Sequence, residues 1–183
     1  WPDNWIGVEL MATRETVASL SKRLQTFEDE KAIRTCMNQY MYLCDILDVG
    51  FPLDDLLVLF TEDAVWEGRG RRYGKTFGQH QGKDAIRAMF AKYTQPPAHF
   101  DTNVHFLTSE LIDVQDGEAT GSWVLLQTST FSSGKSQLSS ARLSVKFRCD
   151  DGIWRMSHFQ TESLFNRPVT TPWDQPADLP VPE

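Results

Sequence analysis

The stretch that decides the fold is HFLTSELIDVQDGEATGSWVLLQTSTF, residues 105–131. It contains two segments rich in β-branched, aromatic and other apolar residues, joined by the tripeptide Gln-Asp-Gly at 115–117. An Asp-Gly pair between two such segments is typical of a β-hairpin. We therefore predict one strand from His105 to Val114 and a second from Glu118 to Phe131.

The residues that follow repeat this pattern. Turn sequences at 132–135 and 150–152 separate two further segments of the same composition. They predict a third strand from Leu138 to Cys149 and a fourth from Ile153 to Phe165. Consecutive strands with glycine in the turns between them indicate an antiparallel meander.

The part of the chain before this sheet has a helical pattern. Apolar residues at spacings of three and four predict one helix from Thr16 to Glu28 and a second from Asp29 to Leu47. The elements predicted next are a short helix at 53–60, a strand at 64–67, a glycine-rich loop at 68–82 and a helix at 83–93. Helices followed by a long antiparallel sheet predict an α+β fold with the helices on one face.

The chain has 183 residues, a length that suits one domain with its own core. We predict a single domain at 1–165, with residues 1–8 irregular and a helical extension at its N-terminal end. Residues 166–183 contain five prolines, a composition that argues against regular structure. Two alternatives are open for this tail: disorder, or packing over a neighbouring subunit.

Composition excludes several classes of function. The net charge of −7 and the pI of about 5.1 argue against nucleic acid as a partner, because phosphate binding needs a basic face. No apolar run reaches the roughly 18 residues of a membrane span, so no membrane partner is predicted. Cys36, Cys44 and Cys149 form no CxxC pair and indicate free thiols in a reducing cytoplasm. No signal peptide is visible, although the chain begins at Trp1 and a removed leader stays open.

Four stretches share their order and spacing with a known family. They are AIRTCMNQYMYLCD at 32–45, LFTEDAVW at 59–66, GKDAI at 82–86 and the segment 105–123. The chain resembles the NTF2-like superfamily over about residues 29–165. Within it, the chain is similar to the SnoaL-like branch, which includes scytalone dehydratase, hexachlorocyclohexane dehydrochlorinase and bile acid 7α-dehydratase. The resemblance implies a cone in which helices and a curved antiparallel sheet enclose a pocket.

The resemblance also implies a pair of catalytic residues. In this branch an Asp at the end of the long helix orients a His on the first long strand, and Asp45 and His105 hold those positions. Tyr40 stands where bile acid 7α-dehydratase uses a Tyr. A carboxylate on one ring nitrogen leaves the other to act as a base near neutral pH. Tyr40 would donate a hydrogen bond to a substrate oxygen.

Each of these residues has a competing interpretation. His99 begins HFDTN, which resembles the stretch that the family usually has at its histidine. Counting residues back from DGEATG at 116–121, however, places His105 at the family's histidine position. Asp48 lies closer than Asp45 to the centre of its helix's apolar stripe, and Asp45 is also consistent with a surface carboxylate. Tyr40 lies inside that stripe, where core packing and pocket lining are both open.

Substrate contacts are predicted on the strands. Trp123, Leu125 and Gln127 alternate on one face and suggest an apolar, aromatic site. Arg142 is a candidate partner for an anionic substrate group or for an acid at a subunit interface. The predicted substrate-binding residues are Trp66, Trp123, Leu125, Gln127, Arg142, Met156 and His158. For His158, a position on the concave face and exposure to solvent are both open.

These patterns predict a pocket for a hydrophobic small molecule. The function implied is a cofactor-independent lyase or isomerase, dehydratase-like, acting on a hydrophobic cyclic substrate. No ligand spacing such as HExxH is present, so neither a metal site nor a cofactor is predicted. The alternatives are a non-catalytic binding or scaffold protein and a small subunit of an oxygenase. An exposed apolar sheet face predicts a homodimer, with a trimer as the alternative.

Overall fold

The structure is a computed structural model that describes residues 16–170 and Trp173. The helices are α1 (Val17–Asp45), α2 (Leu53–Leu57), α3 (Gly70–Thr76) and α4 (Lys83–Phe90), the last followed by a 3₁₀ turn (Ala91–Tyr93). The strands are β1 (Phe60–Arg69), β2 (Gln79–Gln81), β3 (Phe100–Gln115), β4 (Glu118–Phe131), β5 (Ser136–Asp150) and β6 (Ile153–Val169). The predictions for residues 1–8 and for most of the tail lie outside the described residues.

One long helix replaces the two predicted ones. α1 begins after Thr16, whose side chain accepts a hydrogen bond from the Ser19 backbone N–H at 3.2 Å, as an N-cap residue does. It runs without a break to Asp45. The prediction of a break at Asp29 is wrong because α1 contains neither glycine nor proline, and acidic residues alone do not end a helix. The helix therefore carries Tyr40 and Asp45 on one rigid element.

The six strands form one sheet in the order β2-β1-β6-β5-β4-β3. β3 to β6 are the predicted antiparallel meander. The sheet as a whole is mixed, because β1 pairs in parallel with β6. α1 packs on β3 and β6, and its buried residues are Ile33, Cys36, Met37, Tyr40 and Met41. The predicted α+β fold, with helices packed on a curved sheet, is confirmed.

The segment 68–82, predicted as a loop, contains α3 and β2, so that prediction is wrong. Gly70 and Gly78 flank the helix with φ of 68° and 67°, a conformation that glycine adopts at no steric cost. Between them, Tyr73 and Phe77 are four residues apart and pack edge to face, with ring centroids 5.0 Å apart. The glycines therefore bound a short helix rather than prevent one.

β6 continues beyond Phe165 to Val169, so the predicted irregular tail begins too early. Val169 pairs with Ser136, the first residue of β5. Pro168 is tolerated here because the pairing of β6 with β1 ends at Glu162, which leaves one side of β6 as a free edge.

A bulge in β6 decides which of its side chains face α1. Met156 pairs with Phe147, but His158 pairs with Lys146, so Ser157 is an extra residue in β6. Before the bulge Met156 faces the core. After it the alternation is shifted by one, and Phe159 instead of His158 faces inward.

The three cysteines are unpaired, as predicted, with Cys36 buried and Cys44 and Cys149 partly buried. Across residues 16–170, no helix has the length and apolar character that a membrane crossing requires.

Candidate functional site

A cavity of about 160 Å³ lies between α1 and the concave face of the sheet. Its walls are mainly aromatic and aliphatic, with rings contributed by α1, β1, α3, α4, β3 and β6. Besides Trp66, Tyr73 and Tyr93, the lining residues with polar groups are Tyr40, Cys44, Asn103, His105, Gln127 and Thr161. A dry cavity of roughly this volume holds about one benzene-sized ring.

Asp45 and His105 meet beside this cavity. Asp45 is the last residue of α1, and His105 lies on β3 within the cavity lining. Asp45 Oδ1 is 2.6 Å from His105 Nδ1 and also accepts the His105 backbone N–H at 2.9 Å. Two hydrogen bonds to one oxygen hold the carboxylate, although its place at a helix C-terminus is mildly unfavourable for an anion.

The contact fixes the tautomer of His105. An ionised carboxylate only accepts hydrogen bonds, so Nδ1 of the neutral ring must carry the proton. Nε2 is then the unprotonated nitrogen, and no hydrogen-bond partner for it occurs among the described residues. The ring therefore offers a base to the cavity that it lines.

Tyr40 is held by Trp66. The indole Nε1–H of Trp66 donates to Tyr40 Oη at 2.9 Å, and both side chains are buried. The Tyr40 ring also packs against Phe159, with centroids 4.9 Å apart. Burial raises the pKa of Tyr40 well above its ordinary value, so the group is a neutral hydroxyl. With Oη accepting from Trp66, the Tyr40 hydroxyl can still donate its proton, and the Cys44 side chain lies within hydrogen-bond reach of it.

A polar network, of which the sequence analysis assigned only Gln127 to the site, extends from α1 across β3, β4 and β5. Asn103 Nδ2 donates to the Cys44 carbonyl at 3.2 Å, while its Oδ1 accepts from Gln127 Nε2 at 2.7 Å and from Ser129 Oγ at 3.0 Å. Gln127 Oε1 in turn accepts from Ser139 Oγ at 3.2 Å. Asn103 was visible in the HFDTN stretch, two residues before His105 and therefore on the same strand face.

Among the other lining residues, two lie in the segment that was predicted as a loop. Tyr73 and Phe77 reach the cavity from α3. Their spacing of four residues was the available signal. Cys44 also lines the cavity, and burial raises the pKa of its thiol to about 12, so it is a neutral group there.

The structure brings part of the predicted substrate-binding set to the cavity. Trp66, Leu125 and Gln127 line it, as do Tyr40 and His105. Asp45 is linked to the cavity through its hydrogen bond to His105.

Four predicted contacts lie outside the lining: Trp123, Arg142, Met156 and His158. Trp123 is buried farther along β4, where its Nε1 donates to Glu110 at 3.2 Å and its ring covers Gly121 so closely that a Cβ there would be 2.3 Å away. Met156 is fully buried in the core beside its β1 partner Phe60.

The other two face away from α1. Arg142 is exposed, since its neighbours Ala141 and Leu143 on β5 are the buried ones. His158 is turned outward by the bulge in β6, and its Nε2 contacts Glu67 Oε1 at 3.0 Å. None of these four is a pocket contact in the function proposed below.

The competing candidates lie apart from the cavity. His99 is exposed immediately before β3, with its ring 5.1 Å from that of Tyr93. Asp48 is exposed, and its Oδ1 accepts the Val49 backbone N–H at 2.7 Å. In the part of the chain that is described, no three His, Cys, Asp or Glu side chains are grouped as a metal ion requires.

Comparison with known proteins gives a family and several similar folds. A model of the SnoaL-like domain matches residues 25–160. No curated protein matches the sequence.

Among solved structures, a type 2 hexachlorocyclohexane dehydrochlorinase is 16% identical, with a TM-score of 0.71 over 85% of this chain and 99% of that one. A protein of Novosphingobium aromaticivorans, provisionally named an aromatic ring hydroxylase, is 21% identical, with a TM-score of 0.66 over 78% and 94%. A second protein of that organism, provisionally named a scytalone dehydratase, is 16% identical, with a TM-score of 0.66 over 83% and 97%. At such identities the likeness establishes the NTF2-like cone and not an activity.

Proposed function

The chain belongs to the SnoaL-like domain family, and from that premise we propose that it is a cofactor-independent lyase or isomerase for a small apolar ring compound. His105 is the base, Asp45 is the residue that orients it, and Tyr40 donates a hydrogen bond to the substrate. The observation that carries the proposal is the 2.6 Å contact from Asp45 to Nδ1, which leaves Nε2 of a cavity-lining ring free.

The reaction begins with proton transfer from carbon. His105 Nε2 takes a proton from a C–H next to a carbonyl or a leaving group, and the Asp45 carboxylate stabilises the imidazolium that forms. In an elimination, the C–H electron pair forms a C=C bond and the leaving group departs with its own pair. In an isomerisation, the pair passes through the carbonyl, and the proton returns to another carbon. A positioned base of this kind contributes about 10²- to 10⁴-fold.

The cavity supports a single-ring substrate. Its volume of about 160 Å³ fits about one six-membered ring, and its aromatic walls favour an apolar one. The similar dehydrochlorinase and the provisional scytalone dehydratase bear names that denote eliminations on ring compounds, which supports this reaction class.

The non-catalytic alternative is less well supported. A plain binding or scaffold protein has no need of a histidine and a carboxylate within hydrogen-bond reach at the cavity. The oxygenase-subunit alternative stays a prediction, tested by whether the protein co-purifies with an iron-containing large subunit. The homodimer and the cytoplasmic location also stay predictions.

The test is turnover of a ring panel in D₂O by the wild type, His105→Ala and His158→Ala. The panel contains keto, hydroxy and chloro derivatives of one ring, with steroid and polyketide compounds for size, and NMR detects deuterium incorporation or loss of the leaving group. We expect His105→Ala to lower kcat/KM by about 10²- to 10⁴-fold. His158→Ala, which changes a histidine outside the cavity, should stay within about twofold. Equal turnover of one substrate by the wild type and His105→Ala would rule out the proposed base.

A further inference from the structure

The amides of Asn103 and Gln127 lie in the cavity lining on either side of the position from which His105 acts. Gln127 is the direct cross-strand partner of His105, and Asn103 is two residues before His105 on the same face of β3. Any substrate atom within reach of His105 is therefore close to these amides. Their orientation decides whether the cavity presents donors or acceptors at that place.

One main-chain carbonyl fixes this orientation. The Cys44 C=O can only accept, so the Asn103 atom that faces it must be Nδ2. Asn103 Oδ1 then faces Gln127, so the Gln127 atom that faces Asn103 must be Nε2. Gln127 Oε1 is thereby turned to Ser139, whose hydroxyl donates to it. Each step leaves one choice, because reversing either amide would set two donors or two acceptors against each other.

The same hydrogen bonds occupy the oxygens of both side-chain amides but only one N–H group of each. Asn103 Oδ1 accepts two hydrogen bonds, and Gln127 Oε1 accepts one. Each amide nitrogen carries two N–H groups, of which the network uses one. For the second N–H of each, no acceptor occurs among the described residues. The two amides therefore provide unused N–H donors beside His105 Nε2, which is an acceptor.

We propose that this end of the cavity binds a ketone oxygen of the substrate ring, with Asn103 and Gln127 as the binding residues. The proposal rests on the proposed function, in which His105 removes a proton from the carbon next to that carbonyl. The C–H electron pair then forms the C=C bond of an enolate, and the carbonyl π pair moves to the oxygen. Fixed N–H donors stabilise the charge that develops there. The proton on His105 returns to carbon in an isomerisation, or leaves with the departing group in an elimination.

This inference narrows the substrate class. A halogenated hydrocarbon ring has no strong acceptor and would leave the second N–H of each amide unpaired in a mainly apolar cavity, which is costly. A cyclic ketone satisfies them. We therefore expect this chain to prefer keto rings to halocarbon rings of equal size.

The experiment is a binding comparison that needs no turnover. Cyclohexanone and methylenecyclohexane have nearly the same shape and differ in C=O against C=CH₂. We expect the wild type to bind the ketone roughly tenfold more tightly, the difference that one net hydrogen bond provides. With carbonyl-¹³C cyclohexanone, the bound carbonyl signal should move downfield, as for a carbonyl that accepts hydrogen bonds.

Matched variants test whether Asn103 and Gln127 cause the preference for the ketone. Gln127→Met and Asn103→Leu remove the donors at similar volume and should reduce both the ketone preference and the downfield shift. Gln160→Met, on the outer face of β6, should change neither. Equal affinity of the wild type for the two ligands, or binding of neither, overturns the proposal without relying on any variant that fails to fold.

The two sets of experiments distinguish a failure of the ketone site from a failure of His105 as the base. A ketone preference together with unchanged turnover by His105→Ala would leave the donor site standing and remove the proposed base. Loss of turnover in His105→Ala without a ketone preference would do the reverse.

Discussion

Two histidine–carboxylate pairs lie on opposite faces of the same sheet. On the concave face, Asp45 Oδ1 is 2.6 Å from His105 Nδ1. On the outer face, Glu67 Oε1 is 3.0 Å from His158 Nε2. By contact distance alone, each is a candidate acid–base pair.

Their surroundings differ. The Asp45 oxygen also binds a backbone N–H, and His105 lines a cavity walled by aromatic rings. Glu67 also accepts from Gln160 and lies 3.7 Å from Arg69, whose side chain is more than half exposed. The outer pair therefore belongs to a charge cluster, and the groove that His158 and Gln160 line beside it contains no Phe, Tyr or Trp in its walls. The difference teaches that the cavity next to a free ring nitrogen, rather than the ion pair, makes a candidate site.

The largest effect is expected when the Asp45 carboxylate is replaced by a neutral amide. Asp45→Asn removes the charge that stabilises the imidazolium and can present an N–H to Nδ1, which would put the ring proton on Nε2. We expect kcat/KM to fall by about 10²- to 10⁴-fold on whichever ring compound the panel identifies.

Glu67→Gln is the matched control, because it makes the same carboxylate-to-amide change at the outer pair. We expect it to alter kcat/KM by less than about twofold. Comparable losses of kcat/KM in Asp45→Asn and Glu67→Gln would contradict the distinction drawn between the two pairs.

A smaller effect is expected for Tyr40, which tests how far the concave site extends along α1. Tyr40→Phe removes one hydrogen-bond donor from the cavity and leaves Trp66 Nε1 without its acceptor. We expect a fall in kcat of about 10²-fold, at the low end for loss of one such donor. The free energy of unfolding should fall by about 1–3 kcal/mol for the buried N–H left unsatisfied.

Tyr42→Phe makes the same change at a ring that is 62% exposed on the same helix, and should leave both quantities nearly unchanged. Steady-state kinetics and urea unfolding measure the two effects separately. If Tyr40→Phe loses stability but keeps its kcat, Tyr40 has only the packing role that the sequence left open.

Much of this comparison could be anticipated from the sequence, because it depends on local periodicity. Strand alternation and turn spacing located β3 and β4, and the register counted from 116–121 preferred His105 to His99. Such features are set by residues near in the chain. Asp45 came from the resemblance to the SnoaL-like branch, because the helical pattern alone left it consistent with a surface carboxylate.

The outer pair could not be anticipated in the same way. His158 was left between the concave face and solvent because alternation from Trp154 and Met156 would point it inward. The extra residue in β6, Ser157, reverses this, and it is defined by pairing with β5 rather than by any local signal. α3 was missed for a related reason, since its glycines outweighed the four-residue spacing of Tyr73 and Phe77. Orientation of the Asn103 amide likewise depends on a carbonyl 59 residues away.

The smallest effect is expected at an ion pair near the surface, which extends the comparison to a carboxylate that is two-thirds exposed. Arg148 donates to Asp63 from both of its terminal nitrogens, at 3.0 and 3.3 Å, and these hydrogen bonds lower the pKa of Asp63 to about 2 from an ordinary value of 3.8. A lowered carboxyl pKa means that the pair stabilises the fold above pH 3.8. This contribution is lost as the pH falls from there through about 2.

Because two-thirds of the Asp63 side chain is exposed to solvent, we expect Asp63→Asn to lower the free energy of unfolding at pH 7 by less than about 1 kcal/mol. Urea unfolding measures the difference in free energy of unfolding between the wild type and the variant. This difference should be present at neutral pH and nearly vanish near pH 2. At that pH the Asp63 carboxyl is half protonated in the folded protein and mostly protonated in the unfolded chain. Asp101→Asn, at an exposed position on β3 without an ion pair among the described residues, is the control for the carboxylate-to-amide change itself. The Asp63 variant should keep its kcat/KM, since Asp63 is not among the residues that line the cavity. A fall in activity as large as that of Asp45→Asn would mean that charge itself, rather than the cavity beside it, sets the function of these pairs.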